Sequence, residues 1–307
     1  MDILLQQIIN GLVQGAIYAM VALGYTMVYG IMGLINFAHG EVVMIGTLVA
    51  ITVVTTLLDL GVPVWLSGAL GVVAAAAVCM ALGWSLERVA YRPLRHAPRL
   101  TPLITAIGMS IVLQNLAMMI WGRNYLTFPP LIHKTQFEIG GAAFTSVQLM
   151  IVVVAGVSMT GLLLLVYRTK LGMAMRATAQ NPAVAGLMGV NANRVISSAF
   201  VIGSALAALA GVMVGNYYEI AHYQMGFMLG LKAFTAAVLG GIGNLAGAMA
   251  GGVLLGLIEA LGAGYIGDLT GGFLGSHYQD IFAFVVLILV LMFRPSGLFG
   301  EKTGDRA

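Results

Sequence analysis

YRTKLGMAMRATAQNPAVAGLMGVNANR, residues 167–194, sets the reading of the whole chain, because it is water-compatible sequence between two stretches that are not. On either side, residues 139–167 and 195–218 contain no Asp, Glu, Lys or Arg. The segment itself holds four cations, Arg168, Lys170, Arg176 and Arg194, and no acid. Asn181-Pro182 is a helix-start signal, since Asn caps free backbone N–H groups and Pro suits the first helical position. Gly189, followed by Asn191, reads as the stop, which leaves a helix of about two turns over residues 182–188. So short a helix is unstable alone and needs something to pack against. A small, capped, basic-flanked helix on one face of a membrane protein points to a docking element.

Outward from this segment, charge-free runs recur at 3–40, 60–86, 100–122 and 233–258. Each exceeds the roughly 20 residues with which a helix crosses the hydrocarbon layer. Of the 307 residues, 60% are hydrophobic and 8% charged, against about 25% charged in a soluble domain. These runs imply an all-α, polytopic protein that has the lipid bilayer as its solvent. A β-barrel would show weak alternation in place of continuous apolar runs. The formal charge of +3 follows topology and implies no nucleic-acid partner. The single Cys79 lies in an alanine-rich run, 72–82, and reads as a small packing residue. No basic n-region or cleavage site marks the first run, so it is expected to stay as a membrane helix.

Three short segments hold eleven of the fourteen Lys and Arg: Arg88, Arg92, Arg95 and Arg99; the four of 167–194; and Arg294, Lys302 and Arg306. The positive-inside rule places all three in the cytoplasm. Asp59, Glu138 and Asp268 then mark the opposite loops. Nine crossings fit, at about 5–29, 36–58, 63–86, 101–121, 146–167, 194–216, 225–242, 246–265 and 279–293, with the N-terminus outside and the C-terminus inside. Short glycine-rich joints between the first two and between the seventh and eighth widen the expected count to 8–10. The chain reads as one transmembrane domain over 1–307, with a cytoplasmic loop at 168–194.

Those joints read as broken helices. The first, GIMGLINFAHG at 30–40, is followed by Glu41 and gathers Asn36, His39 and Glu41. The second, at 240–244, lies between Lys232 and the spaced glycines Gly247, Gly251, Gly252 and Gly256. Broken helices at membrane depth persist where protein or a water-filled cavity satisfies the freed backbone, and in transporters they point to the pathway. The bland alternative is a capped interhelical turn, which fits 240–244 as well as a functional break does. The spaced glycines suit close helix packing better than a ligand site. Among intramembrane ions, functional candidates because burial is costly, Glu219 and Asp280 suit the outer interface. Lys232 has Glu219 or Glu41 as structural partners, and Glu259 has none that the sequence names.

Four blocks carry a family resemblance: GYTMVYGIMGLINFAHGEVVMIG (24–46), RATAQNPAVAGLMGVN (176–191), KAFTAAVLGGIGNLAGAMAGG (232–252) and RPSGLFG (294–300). In that order they resemble the branched-chain amino acid ABC importer permeases, specifically the LivH-type membrane subunits. The resemblance runs along nearly the whole chain and is weakest over 123–146. It implies a type II ABC importer-like permease fold, a paralogous permease subunit, two cytoplasmic ATPase subunits that bind the ATP, and a periplasmic substrate-binding protein. The setting implied is multi-pass in a bacterial inner membrane. The family's ATPase-coupling helix falls on 176–191, with Arg176, Asn181, Pro182, Ala185 and Gly186 as its candidate residues. Residues 36–41 belong to the family's signature, and the resemblance assigns them no contact with substrate; as polar and charged groups at membrane depth, Asn36, His39, Glu41, Lys232 and Glu259 are the candidates for the translocation pathway.

No lysine stands in a G-x-x-x-x-G-K-[ST] loop, so the chain has no phosphate loop of that kind and no cofactor of its own is expected. Energy then comes from partner subunits or from an ion gradient. The leading expectation is import of leucine, isoleucine or valine, with ATPase closure pushing on the coupling helix. Other amino acids, amides or urea are alternative cargoes, selected by the binding protein. An ion-coupled carrier using Glu41 and Glu259 is a different class, opposed by the few buried charges and by a soluble helix it would not need. Enzyme chemistry is the weakest reading: His39, His96, His133, His222 and His277 are scattered, with no metal-ligand spacing.

Overall fold

The structure, a computed structural model, describes residues 2–95, 97–98, 100–270 and 278–300. Arg99, Lys302, Arg306, His96 and His277 lie outside the described residues, as does the Asp268 side chain. The chain is helical: α1 (Asp2–Met32), α2 (His39–Asp59), α3 (Val64–Leu86), α4 (Leu100–Trp121), α5 (Ser146–Arg168), α6 (Lys170–Gln180), α7 (Pro182–Leu187), α8 (Ala192–Tyr218), α9 (Met225–Gly240), α10 (Leu245–Leu269) and α11 (Gln279–Phe293). Among the described residues, seven helices are long and apolar enough to cross a membrane; α9 and the Ala283–Phe293 stretch of α11 are apolar but shorter. These nine helices coincide with the nine expected crossings to within a few residues. The largest shift is at the end of α10, which runs to Leu269 rather than to residue 265, and α2 begins at His39 rather than at residue 36.

The core forms around α1, which packs on α10 and also meets α8, α9 and α5. Residues 19–23, at its middle, are fully buried. Without a hydrophobic drive between helices in lipid, close packing requires small residues at the contact. Gly11 and Gly15 of α1 face Leu257 and Val253 of α10, and a Cβ built on either would lie 2.8 and 2.7 Å from those Cα atoms. From the other side Gly252 meets Ala19 and Gly256 meets Gly15. Gly247 and Gly251 do the same against α9 at Gly240 and Ala236. The glycine ladder is therefore helix packing, as its spacing implies. The helices α3, α4 and α5 form the outer wall, and their faces stay largely exposed, as suits contact with lipid.

On the face bearing the α8 C-terminus, short strands tie the loops. β1 (Leu126–Thr127) pairs with β4 (Ile220–Ala221), and β2 (Gln136–Ile139) pairs with β3 (Ala142–Thr145). The second pair turns through Gly140 and Gly141, both at positive φ, the backbone that a two-residue hairpin with right-twisting strands demands. Sequence reading places no strand over 123–146, because the strands are too short to show a period. Glu219 closes α8 in the left-handed region at φ 58° and pairs with Lys134.

Candidate functional site

The joint between α1 and α2 is built by Gly33, at φ 64°, whose N–H still bonds the Tyr29 carbonyl as the helix ends. Its three polar residues are buried and face different neighbours. Asn36 Oδ1 accepts from the Ala38 N–H at 3.1 Å and from the Tyr91 hydroxyl at 2.7 Å. The side chain thus fastens the joint to the end of α3; it does not cap α2, whose N-cap is Ala38. The His39 ring sits edge-on to Tyr25 at 4.9 Å, against Gly24. Glu41 Oε1 accepts from Ser110 at 3.0 Å and Gln114 at 2.7 Å, holding α4 to α2, while Oε2 faces Gly226 without a donor.

Lys232 and Glu259 belong to a second cluster. Lys232 Nζ lies 3.2 Å from Glu259 Oε2 and 2.7 Å from Asp280 Oδ1, the latter without hydrogen-bond alignment. The Tyr18 hydroxyl donates to the same Glu259 oxygen at 2.7 Å and receives Gln14 Nε2 at 2.9 Å. The partners expected for Lys232, Glu219 and Glu41, are both engaged elsewhere, with Lys134 and with Ser110 and Gln114. The reason is topological: α10 runs back alongside α9 and α11 packs on both, so two acids on those helices reach the ammonium. This cluster sits at one end of a cavity of about 270 Å³. Tyr125, Val214, Tyr218, Met225, Met228 and Leu229 supply most of its wall, and Gln14, Tyr18 and Lys232 its polar edge. A smaller cavity of about 90 Å³ opens further along α1, toward its C-terminal end, beside Thr26, Ile31, Met175 and Arg176. The buried 19–23 stretch of α1 separates the two. The five pathway candidates therefore form two sites rather than one.

The 240–244 joint is a turn with every strained position assigned. Gly241 and Gly243 take φ 108° and 97°, and Asn244 caps α10 by accepting from Gly247 N–H at 3.1 Å. Asn244 Nδ2 donates to the Phe299 carbonyl at 2.9 Å. The Leu298 and Phe299 N–H groups bond the Leu239 and Gly240 carbonyls, satisfying the open end of α9. The bland reading of this break fits its geometry.

In the polar loop, Asn181 Oδ1 accepts from the Ala183 and Val184 N–H groups at 3.0 and 3.1 Å, and Pro182 opens α7. Gly189, at φ 84°, ends it: its N–H bonds Gly186 and the Val190 N–H bonds Ala185, the paired closure of a Schellman motif. Asn191 plays no part in that stop; it caps α8 through the Arg194 N–H. Sequence reading missed α6, an 11-residue helix capped by Thr169. Leu171, Met175 and Thr178 turn inward at helical spacing, and that spacing was the available signal. Arg176 turns back to the Val166 carbonyl and over the Tyr167 ring. Ala185 is buried, whereas a Cβ on Gly186 would meet nothing. The apolar tip is formed by residues not singled out from sequence, Leu187 and Met188, 88% and 82% exposed.

Among the described residues, nine apolar helices, two cavities on either side of the buried 19–23 stretch of α1 and a capped polar loop with an exposed apolar tip define a polytopic membrane permease. The chain belongs to the family described as branched-chain amino acid transport system / permease component, whose model matches residues 7–291. It is 46% identical over 308 residues to the high-affinity branched-chain amino acid transport system permease protein LivH of Escherichia coli (strain K12), covering 98% of this chain and 97% of that protein. It is 48% identical over 309 residues to the corresponding permease protein BraD of Pseudomonas aeruginosa, with the same coverage. A chain in the structure of PsaBC from Streptococcus pneumoniae is a distant likeness, 12% identical at TM-score 0.46, covering 93% of this chain and 90% of that one.

Proposed function

We propose that this chain is the membrane-spanning permease subunit of an ATP-driven importer for leucine, isoleucine and valine in a bacterial inner membrane. The observation that carries the reading is the end-to-end similarity to LivH and BraD, whose names state that transport. The cavity beside Lys232 supports it. Its largely aliphatic and aromatic wall suits a branched apolar side chain, and its polar residues, Gln14, Tyr18, Lys232 and His222, suit the charged end of an amino acid. A periplasmic binding protein delivers the substrate, a paralogous permease completes the pathway, and two cytoplasmic subunits bind and hydrolyse ATP. Movement of the ATPase pair reaches the permease at α7 and is transmitted through α6 to the end of α5 and to α1, which both pack on α6. Opposed cavities separated by one buried stretch of α1 suit alternating access by tilting of that helix.

Uptake of labelled leucine by the complex in vesicles, with ATP inside and the binding protein outside, tests this. Uptake is expected to need ATP and to ignore an uncoupler; uptake that needs no ATP and collapses with an uncoupler overturns the reading in favour of an ion-coupled carrier. Urea or glutamine transported in preference to leucine overturns the cargo alone. At the loop, Leu187→Asp and Met188→Asp are expected to leave the protein inserted while lowering coupled uptake about tenfold, a loss of about 1.4 kcal/mol in docking. Unchanged uptake would remove α7 from the coupling path. Gly186→Glu tests the same surface without packing damage, whereas Ala185→Asp would bury a charge and report on loop stability.

A further inference from the structure

Where α3 ends, the backbone passes through a π turn, Glu87–Tyr91, and a 3₁₀ turn, Arg92–Leu94, alongside the start of α8. Between them lies a cleft of about 570 Å³ lined by Trp84, Arg88, Arg92, Arg194, Ser197 and Ser198. We propose that this cleft binds the phosphate of an anionic phospholipid in the leaflet on the α7 side of the membrane.

Charge is the first argument. Among the described residues, Arg88, Arg92 and Arg194 have no carboxylate within ion-pair distance. The acid nearest in sequence, Glu87, is sealed away: it is 1% exposed, one oxygen is held by Arg95 and the other accepts from Ser197 at 2.6 Å. Arg95 also donates to Asn193 at the start of α8. The cleft therefore presents three unneutralised guanidinium groups over a floor whose one carboxylate, Glu87, is already engaged through both oxygens. The serine hydroxyls do not compete for this role, because Ser197 already donates to Glu87 and Ser198 to the Arg194 carbonyl at 2.8 Å. Recognition falls to the guanidinium forks, whose paired N–H groups match phosphate oxygens.

Position is the second argument. The cleft lies at the end of a membrane-length helix, in a segment that also counts as part of the Val64–Leu94 span. Trp84 is half exposed beside it, with Arg88 5.2 Å above its ring. Val89, on the next residue, is 73% exposed, as are Leu100 and Ile104 of α4 at 68% each. Trp and Arg with aliphatic neighbours at a helix end form an interfacial belt, where apolar atoms enter the tails and charges reach the headgroups. Basic clefts between helices at that depth suit anionic headgroups. A soluble phosphate has the same fork chemistry but would leave the half-exposed Trp84 beside the arginines uncovered.

The test uses Trp84 as reporter. In the full chain carrying Trp65→Phe and Trp121→Phe, Trp84 is the remaining tryptophan. The protein is placed in phosphatidylcholine vesicles that contain brominated phosphatidylglycerol or brominated phosphatidylcholine at equal mole fraction. Quenching by the brominated phosphatidylglycerol is expected to be at least about twofold stronger, and Arg88→Gln, Arg92→Gln and Arg194→Gln together should abolish the difference. Native mass spectrometry of the unsubstituted chain gives the second readout, with phosphatidylglycerol retained in preference to phosphatidylcholine. Equal quenching by the two lipids, or a preference that survives the triple substitution, overturns the proposal. Loss of quenching on adding inorganic phosphate reassigns the cleft to a soluble anion and also overturns it. So does a triple variant that keeps its lipid preference but no longer retains ATPase subunits, since the arginines would then serve a protein contact.

Discussion

Lys232 is held between Glu259, which is wholly buried, and Asp280, which is partly exposed. Removing one member of such a cluster leaves charge without a partner, and that loss costs more than the cluster contributes as a whole. Lys232→Met should therefore destabilise the protein by about 3–5 kcal/mol, read as a lower unfolding midpoint in detergent. Lys232→Met combined with Glu259→Gln should recover part of that loss, because the neutral amide no longer requires the ammonium. Purely additive losses would show that the two side chains do not interact. The identity of these partners is illegible in the sequence. Glu41, Glu219, Glu259 and Asp280 all stand on or beside spans, and only the relative rotation and direction of α9, α10 and α11 select among them. The same holds for Glu87, whose partner Ser197 is 110 residues away.

At the scale of helices, the contact between α1 and α10 depends on absent side chains. Gly256→Leu would push its side chain into the backbone of Gly15. Overpacking of this kind costs about 1–3 kcal/mol where neighbours relax, and more here because the clashing atoms are backbone. A sharply reduced yield of folded protein in detergent is the expected outcome. Gly108→Ala, on the α4 wall where a Cβ meets nothing, should leave the midpoint unchanged; equal sensitivity at both sites would remove the packing role of the ladder. Helices of this kind were the most legible part of the fold. Lipid demands continuous apolar runs; Asp, Glu, Lys and Arg bound most of them, and the glycine-rich joints at 30–40 and 240–244 divide the two that carry no charge at the boundary, so α1 to α5 and α8 to α11 fall where the sequence places them. The helix α6 escaped because one extended residue, Thr169, separates it from α5, and the glycine that permits the tight turn, Gly172, lies within α6 against the Val166 carbonyl rather than between the two helices. The β2–β3 hairpin escaped because four-residue strands carry too few alternations to be counted.

The whole molecule is asymmetric across the membrane. One face carries α7, the Arg88–Arg95 turn and the 294–300 tail that closes α9; the other carries both strand pairs and the Lys134–Glu219 contact. The positive-inside rule assigns the first face to the cytoplasm, and the proposed coupling of α7 to a cytoplasmic ATPase requires that assignment. Cysteine labelling tests it directly, because the one native thiol, Cys79, is wholly buried and bonded to the Val42 carbonyl. Replacing Cys79 with Ala removes little volume from that site and gives a silent background. Met188→Cys, at the exposed tip of α7, should then react with a membrane-impermeant maleimide only after the cells are opened. Glu138→Cys, exposed on β2, should react in spheroplasts whose inner membrane is intact. The two positions sit on loops joined by α5, a single 23-residue crossing, so their reactivities must be opposite. If Met188→Cys labels from outside, the orientation is inverted, and the coupling role of α7 fails with it, because no ATP-hydrolysing partner faces that side.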